Sequence, residues 1–176
     1  MKHSIRQEML SRRSAMFPYE REEAATKIKQ TLFSRPEFQE SKTIGFYLAI
    51  GTEVPTKEMI EEAQKLGKQI TVPVTNESIE FCKFTSFEDL APAKYGILEP
   101  REKQPLEPDL IIVPGIAFGE CMHRIGYGKG YYDDYLSKKP VRRIGICYDF
   151  QLLEKLPSHH TDVPMDEIIT EKRLIK

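Results

Sequence analysis

Two apolar runs, "DLIIVPG" (Asp109 to Gly115) and "RRIGICY" (Arg142 to Tyr148), limit what this chain can fold into. Each is short, rich in branched aliphatic residues, and continuous rather than alternating. A strand of that kind is buried on both faces, as in a parallel sheet covered by helices on either side. The surrounding sequence supplies the helices. Residues 4 to 16 read as a helix with basic residues on one side. A second helix is predicted from Pro18 or Tyr19 to Arg35, with Ala24, Ala25, Ile28 and Leu32 on one face and Pro36 as its stop.

"TIGFYLA" (Thr43 to Ala49) then reads as a strand and "PTKEMIEEAQKLG" as a helix whose buried stripe is Met59, Ala63 and Leu66. "QITVPV" and "IEFCKF" read as successive strands with a turn at Asn76, "YYDDYLSKK" as a helix, and "DEIIT" as a short last strand. Strands interleaved with helices predict an α/β fold: one domain over residues 1 to 176, with helices layered on a mostly parallel sheet. Ligands of such sheets gather at the C-terminal ends of the strands.

Charge narrows the function. The formal net charge is -1 and both signs are dispersed, which gives no broad footprint for nucleic acid or an anionic membrane. A small anionic ligand needs only a local cluster. Cys82, Cys121 and Cys147 are isolated and odd in number, as expected of a reducing compartment rather than a disulfide framework. The N-terminal segment lacks the apolar core of a signal peptide, and "LIIVPGIAF" is too short to cross a bilayer. A soluble cytoplasmic protein is expected.

The stretch "RIGYGKGYYDDYL" (Arg124 to Leu136) carries the chemistry. A turn needs one glycine or two. Glycines at 126, 128 and 130, around Lys129, predict a backbone that something approaches closely. Successive N–H groups of such a backbone can converge on one anion. The helix that follows adds free donors and a partial positive charge, and Lys129 adds a full one. Asp133 can hold a Mg²⁺ ion that bridges phosphate oxygens. The spacing is neither GxxxxGK[ST] nor GxGxxG. As bare pattern, a flexible loop capped by Asp133 fits equally well. Taken alone, Tyr131, Tyr132 and Tyr135 read as core packing rather than a base-stacking platform. Cys121 and His123 are two candidate ligands in one loop, short of a tetrahedral metal set.

"RIGYGKGYYDDYL", preceded by "IIVPGIAF" and followed by "VPMDEIIT", resembles the 5-formyltetrahydrofolate cyclo-ligase (methenyltetrahydrofolate synthetase) family. "KHSIR" is similar to that family's opening Lys-x-x-x-Arg, and "YLAIGTEVPT" to its substrate-binding glutamate region. The resemblance implies a single Rossmann-like, three-layer domain on the scaffold of ribose-5-phosphate isomerases and CoA transferases. It implies ATP- and Mg²⁺-dependent closure of 5-formyltetrahydrofolate, with or without a polyglutamate tail, to 5,10-methenyltetrahydrofolate, by a monomer or weak homodimer.

Carried over residue by residue, Lys2 and Arg6 bind ATP phosphates, and Gly126, Tyr127, Gly128, Lys129, Gly130, Tyr131 and Asp133 cradle the nucleotide. Arg124, Lys129 and Tyr132 act at the reacting formyl end. Glu53 binds the folate, and Tyr47 and Phe118, with Phe46, help to wall the pterin, although each also reads as core. Asp133 and Asp166 are the implied Mg²⁺ ligands. The chain departs from the family pattern at Gly119, where an aspartate is common, and at Thr161, where a histidine is common; neither His159 nor His160 is assigned a catalytic role.

The chemistry suits such residues. A formyl oxygen leaves poorly until it is phosphorylated, and phosphoryl transfer depends on positioning and charge stabilisation. Two rivals stay open on sequence: an isomerase or CoA transferase on the same scaffold, and a non-catalytic nucleotide-binding module.

Overall fold

A computed structural model of the chain describes residues 1–176. The chain opens with three helices, α1 (Lys2–Ala15), α2 (Pro18–Ser34) and α3 (Pro36–Glu40). Strand β1 (Thr43–Phe46), helix α4 (Lys57–Lys65) and strands β2 (Gln69–Thr75) and β3 (Ile79–Phe84) follow. Next come a hairpin of β4 (Leu90–Pro92) and β5 (Leu98–Pro100), then β6 (Leu110–Val113), β7 (Ala117–Gly119) and β8 (Arg124–Ile125). Helix α5 (Tyr131–Lys138) leads to β9 (Arg142–Ile146), β10 (Leu152–Leu153), β11 (Glu167–Ile169) and β12 (Leu174–Ile175).

Seven strands form the main sheet in the order β12-β11-β9-β6-β1-β2-β3. The inner five pair in parallel, and β12 and β3 close the two edges antiparallel. Strands β10, β7 and β8 make a second, small sheet. From β1 the chain first builds outward through β2 and β3, then returns to lay down β6, β9 and β11 on the other side. The direction of winding therefore reverses between β1 and β6, where the strand ends part and leave a crevice.

The continuous apolar runs are explained by covering on both faces. Leu110 and Ile112 face the layer of α2, α3 and α4, packing with Ile28, Leu32, Phe38 and Ile60. Ile111 and Val113 face the opposite layer with Tyr135 and Leu136 of α5 and Phe118 of β7. Helix α1 lies over the small sheet, where Met9 packs with Ile116, Ala117 and Ile125. No helix is long and apolar enough to cross a membrane.

Local chemistry sets the boundaries. Pro18 occupies the first turn of α2, and the Glu20 carboxylate accepts the Phe17 N–H at 2.8 Å. Pro36 both ends α2 and begins α3, because a missing N–H is harmless in a helix's first turn. The hairpin β4–β5, the small sheet and edge strand β12 are elements that the sequence periodicity did not announce.

Phe118 corrects an expectation. It is fully buried, with its ring lodged over Gly115 and Gly145, where a Cβ on either glycine would collide with it. It is a core residue and does not line the crevice. Gly145→Ala forces that ring aside in a packed interior and is expected to lower unfolding free energy by about 1–3 kcal/mol in a urea titration; an unchanged midpoint would show that the ring has room to move.

Candidate active site

The crevice at the reversal point is a cavity of about 620 Å³. Tyr47, Leu48, Ile50 and Glu53 reach it from the connection after β1, and Pro114 from the end of β6. Pro73 and Thr75 of β2, Ile79 of β3, and Tyr95, Ile97 and Leu98 of the hairpin make an apolar wall. The rest is mostly charged or polar: Lys2 and Arg6 from α1, the stretch from Arg124 to Asp133 with the apolar Ile125 within it, and His159 and Asp162. All the residues expected at the site therefore meet in one cavity, except Phe118, Asp166 and Phe46, which is fully buried in the core.

The glycines are present for different reasons. Gly128 and Gly130 have φ of 102° and 72°, a region that glycine enters without strain. Gly130 is the N-cap of α5, so its turn aims the first helical N–H groups at the cavity's rim. Gly126 is short of space instead: a Cβ there would lie 2.9 Å from Arg124 Nη1. Its carbonyl accepts the Arg6 Nε–H at 2.7 Å. One of the three glycines thus makes room for an arginine rather than for a ligand.

Arg124 is the cavity's most constrained charge. It is 6% exposed, and its Nε and Nη2 have no hydrogen-bond partner within the protein. Asp133 Oδ2 comes within 3.4 Å of Nη2, and the Tyr132 ring lies 5.4 Å beneath the guanidinium carbon. Burial pulls the guanidinium below the usual arginine range, while Asp133 works in the other direction. Tyr132 is partly buried, and its hydroxyl is enclosed and unpartnered, with a pKa raised by burial. Lys129 stands free of ion pairs, with its ammonium 5.8 Å from the Tyr95 ring centroid.

Glu53 is 7% exposed. The Ile50 N–H donates to one carboxylate oxygen at 2.9 Å, and the Tyr127 hydroxyl to the other at 3.1 Å. Burial raises its pKa above the ordinary carboxylate value, against the lowering effects of the Ile50 N–H, the Arg13 charge and the Tyr127 hydroxyl. Tyr47 borders the cavity, but its hydroxyl is spent on the Val54 carbonyl at 2.9 Å.

Asp166 is a second correction. It precedes β11 at the sheet's N-terminal end, where its carboxylate accepts the Arg143 backbone N–H at 2.8 Å and faces the Arg143 side chain. Parallel strands put that end opposite the cavity. The carboxylate that does reach the cavity is Asp162, whose Oδ2 accepts from Lys2 Nζ at 2.7 Å and from the His159 N–H at 2.8 Å. Burial works to raise its pKa, but Lys2 and the His159 N–H outweigh that and hold it low. The next residue's N–H, that of Val163, donates to Asp133 at 3.1 Å, so the Asp133 and Asp162 segments are tied together.

The departure from the family pattern at Gly119 has a local cause. A Cβ at Gly119 would sit 2.7 Å from Leu156 and 2.8 Å from Cys121 Sγ, so an aspartate has no room there. Glu120 turns to Arg173 instead. His123 spends Nδ1 on the Cys121 carbonyl, and no three His, Cys, Asp or Glu side chains gather as a metal cluster. Asp162, Arg13 and Tyr95 were missed by sequence reasoning. Only Asp162 carried a signal, as the acidic residue directly before "VPMD".

Comparison with known proteins agrees with this architecture. The family model described as "5-formyltetrahydrofolate cyclo-ligase family" matches residues 1–171. A Mycoplasma genitalium 5-formyltetrahydrofolate cyclo-ligase is 35% identical over 159 residues, covering 87% of this chain and 88% of that protein. The 5,10-methenyltetrahydrofolate synthetase of Aquifex aeolicus superposes with a TM-score of 0.90 at 34% identity, covering 99% of this chain and 92% of that one. The Mycoplasma pneumoniae synthetase gives 0.78 at 28% identity, covering 97% and 98%. A match along nearly the whole chain, on a fold whose glycine stretch, Lys2, Arg6 and Glu53 converge on one cavity, places this protein in the 5-formyltetrahydrofolate cyclo-ligase family.

Proposed function

We propose that the chain, acting as one domain and as a monomer or weak homodimer, closes 5-formyltetrahydrofolate to 5,10-methenyltetrahydrofolate with ATP. The observation that carries this reading is Arg124: a buried guanidinium with unmade hydrogen bonds, beside glycine N–H groups and the free Lys129. Desolvated donors of that kind are costly to keep unless an anion takes them. A triphosphate tail supplies several oxygens at once, and Lys2 and Arg6 extend the positive lining.

The apolar wall and Glu53 suit the other substrate. A carboxylate has about four lone-pair sites, and two are used in the protein, so Glu53 retains acceptors for adjacent pterin N–H donors. In the reaction, the formyl oxygen attacks the γ-phosphorus and ADP departs. N10 then attacks the activated formyl carbon, its proton is lost, and phosphate leaves carrying the former formyl oxygen. Arg124 and Lys129 stabilise the transferring phosphoryl group, with the Tyr132 hydroxyl at hand beside it. None of these steps needs a covalent enzyme intermediate.

Asp133 and Asp162 are the carboxylates able to hold a magnesium ion. A pair rather than a cage fits Mg²⁺, which takes its other ligands from phosphate oxygens and water. When bound, the ion neutralises phosphate charge. We place the scaffold with the Rossmann-like folds of ribose-5-phosphate isomerases and CoA transferases, a reading supported by the parallel strands and the site at their reversal. A reducing, cytoplasmic setting is supported by three unpaired thiols.

Purified protein, MgATP and 5-formyltetrahydrofolate are expected to yield the methenyl absorbance with one phosphate per product. Product without ATP would favour isomerase- or transferase-type chemistry, and ATP binding without phosphate release would favour a non-catalytic module. Lys129→Ala is expected to reduce kcat/KM by about 10²-fold or more; near-normal turnover would remove Lys129 from the site. Asp162→Asn should raise the Mg²⁺ concentration needed for half-maximal rate, whereas Asp166→Asn should not; the opposite pattern would restore Asp166. Arg124→Met replaces a desolvated charge by an apolar chain of similar length. It is expected to unfold at the same or higher urea concentration than the parent while losing activity. A loss of more than about 2 kcal/mol would make the arginine a structural strut.

A further inference from the structure

Behind the cavity, Arg13 is a second buried guanidinium, 2% exposed and not part of the cavity lining. Its Nε donates to Thr52 Oγ1 at 3.1 Å, its Nη2 donates to the Tyr127 hydroxyl at 3.2 Å, and its Nη1 has no partner. Tyr127 passes its own hydroxyl hydrogen to Glu53 at 3.1 Å. Arginine, phenol and carboxylate thus form a line joining α1, the glycine stretch and the loop after β1.

We propose that Arg13, acting through the Tyr127 hydroxyl, is a positioning residue for Glu53: it supplies the charge that the buried carboxylate lacks as a direct partner, and it fastens the glycine stretch to the loop bearing Glu53. Thr52 holds the guanidinium from the same loop, so both ends of the line are fixed. The other titratable groups that face Glu53 are the phenols of Tyr47 after β1, Tyr132 of α5 and Tyr148 after β9, whose hydroxyl donates to the Glu53 carbonyl. Burial raises the pKa of each, so they are uncharged at neutral pH. Arg13 is the cation whose charge acts on the carboxylate. The phosphate-gripping stretch and the pterin-binding carboxylate therefore share one hydroxyl, and the two substrates are held in register through it. The second part of this inference rests on the assignment of Glu53 to the folate; the first does not.

Carboxyl-carbon NMR of Glu53 in the ligand-free protein tests the first part. The titration midpoint should move to higher pH in Tyr127→Phe and in Arg13→Met, because each removes a contact that favours the ionised form, and should return toward the parent in Arg13→Lys. Tyr127→Phe decides alone if Arg13→Met fails to fold, since it removes only a hydroxyl from a half-exposed ring. An unmoved midpoint in Tyr127→Phe overturns the proposal. Steady-state kinetics on the same variant should show the 5-formyltetrahydrofolate KM raised about tenfold, the loss of a hydrogen bond to a charged group, with the ATP KM changed less than about twofold. A shifted midpoint with an unchanged folate KM would support the positioning of Glu53 and overturn its assignment to the folate.

Discussion

A guanidinium held out of water with two donors unmade sets the terms for the rest of this site. Arg124 can be tolerated in that state because Asp133 offsets part of its charge and the Tyr132 ring offers its face. Neither contact completes its hydrogen bonds. The backbone around it is shaped accordingly: Gly126 gives up a side chain to admit the guanidinium, and Arg6 clamps that glycine's carbonyl. The fold contributes the place, since the reversal of winding between β1 and β6 leaves strand ends parted where these groups converge.

The same tension explains why two carboxylates in one cavity have different characters. Glu53 is walled by apolar residues and reaches a cation only through a phenol, so burial prevails and its pKa rises. Asp162 is only partly buried and touches the Lys2 ammonium directly, so its pKa falls. One is suited to accept hydrogen bonds from a neutral heterocycle, the other to meet a cation. Helix α1 serves both through Lys2 at its start and Arg13 near its end.

Much of this was legible in the residues. The doubly apolar runs at 110–113 and 144–148 named a covered parallel sheet, because few other environments tolerate branched aliphatics on both faces. The glycine alternation located the site, since φ above zero at Gly128 and Gly130 is a demand that composition reveals. What stayed hidden depended on distance in space. Phe118 carries the same aromatic signal whether it walls a pterin or fills the gap over two glycines. Asp162 and Asp166 are four residues apart in sequence, yet Asp162 lines the cavity and pairs with Lys2 while Asp166 pairs with Arg143 at the sheet's N-terminal end, and only the fold tells them apart. Arg13 looked like one more solvated cation on a basic helix until the fold enclosed it.

Isotope tracing tests most directly the claim that this cavity exists to phosphorylate an amide oxygen. With 5-formyltetrahydrofolate carrying ¹⁸O in its formyl group and unlabelled MgATP and water, the account predicts that released phosphate acquires one labelled oxygen per methenyl product. Unlabelled phosphate, with the ¹⁸O recovered in water, would contradict it.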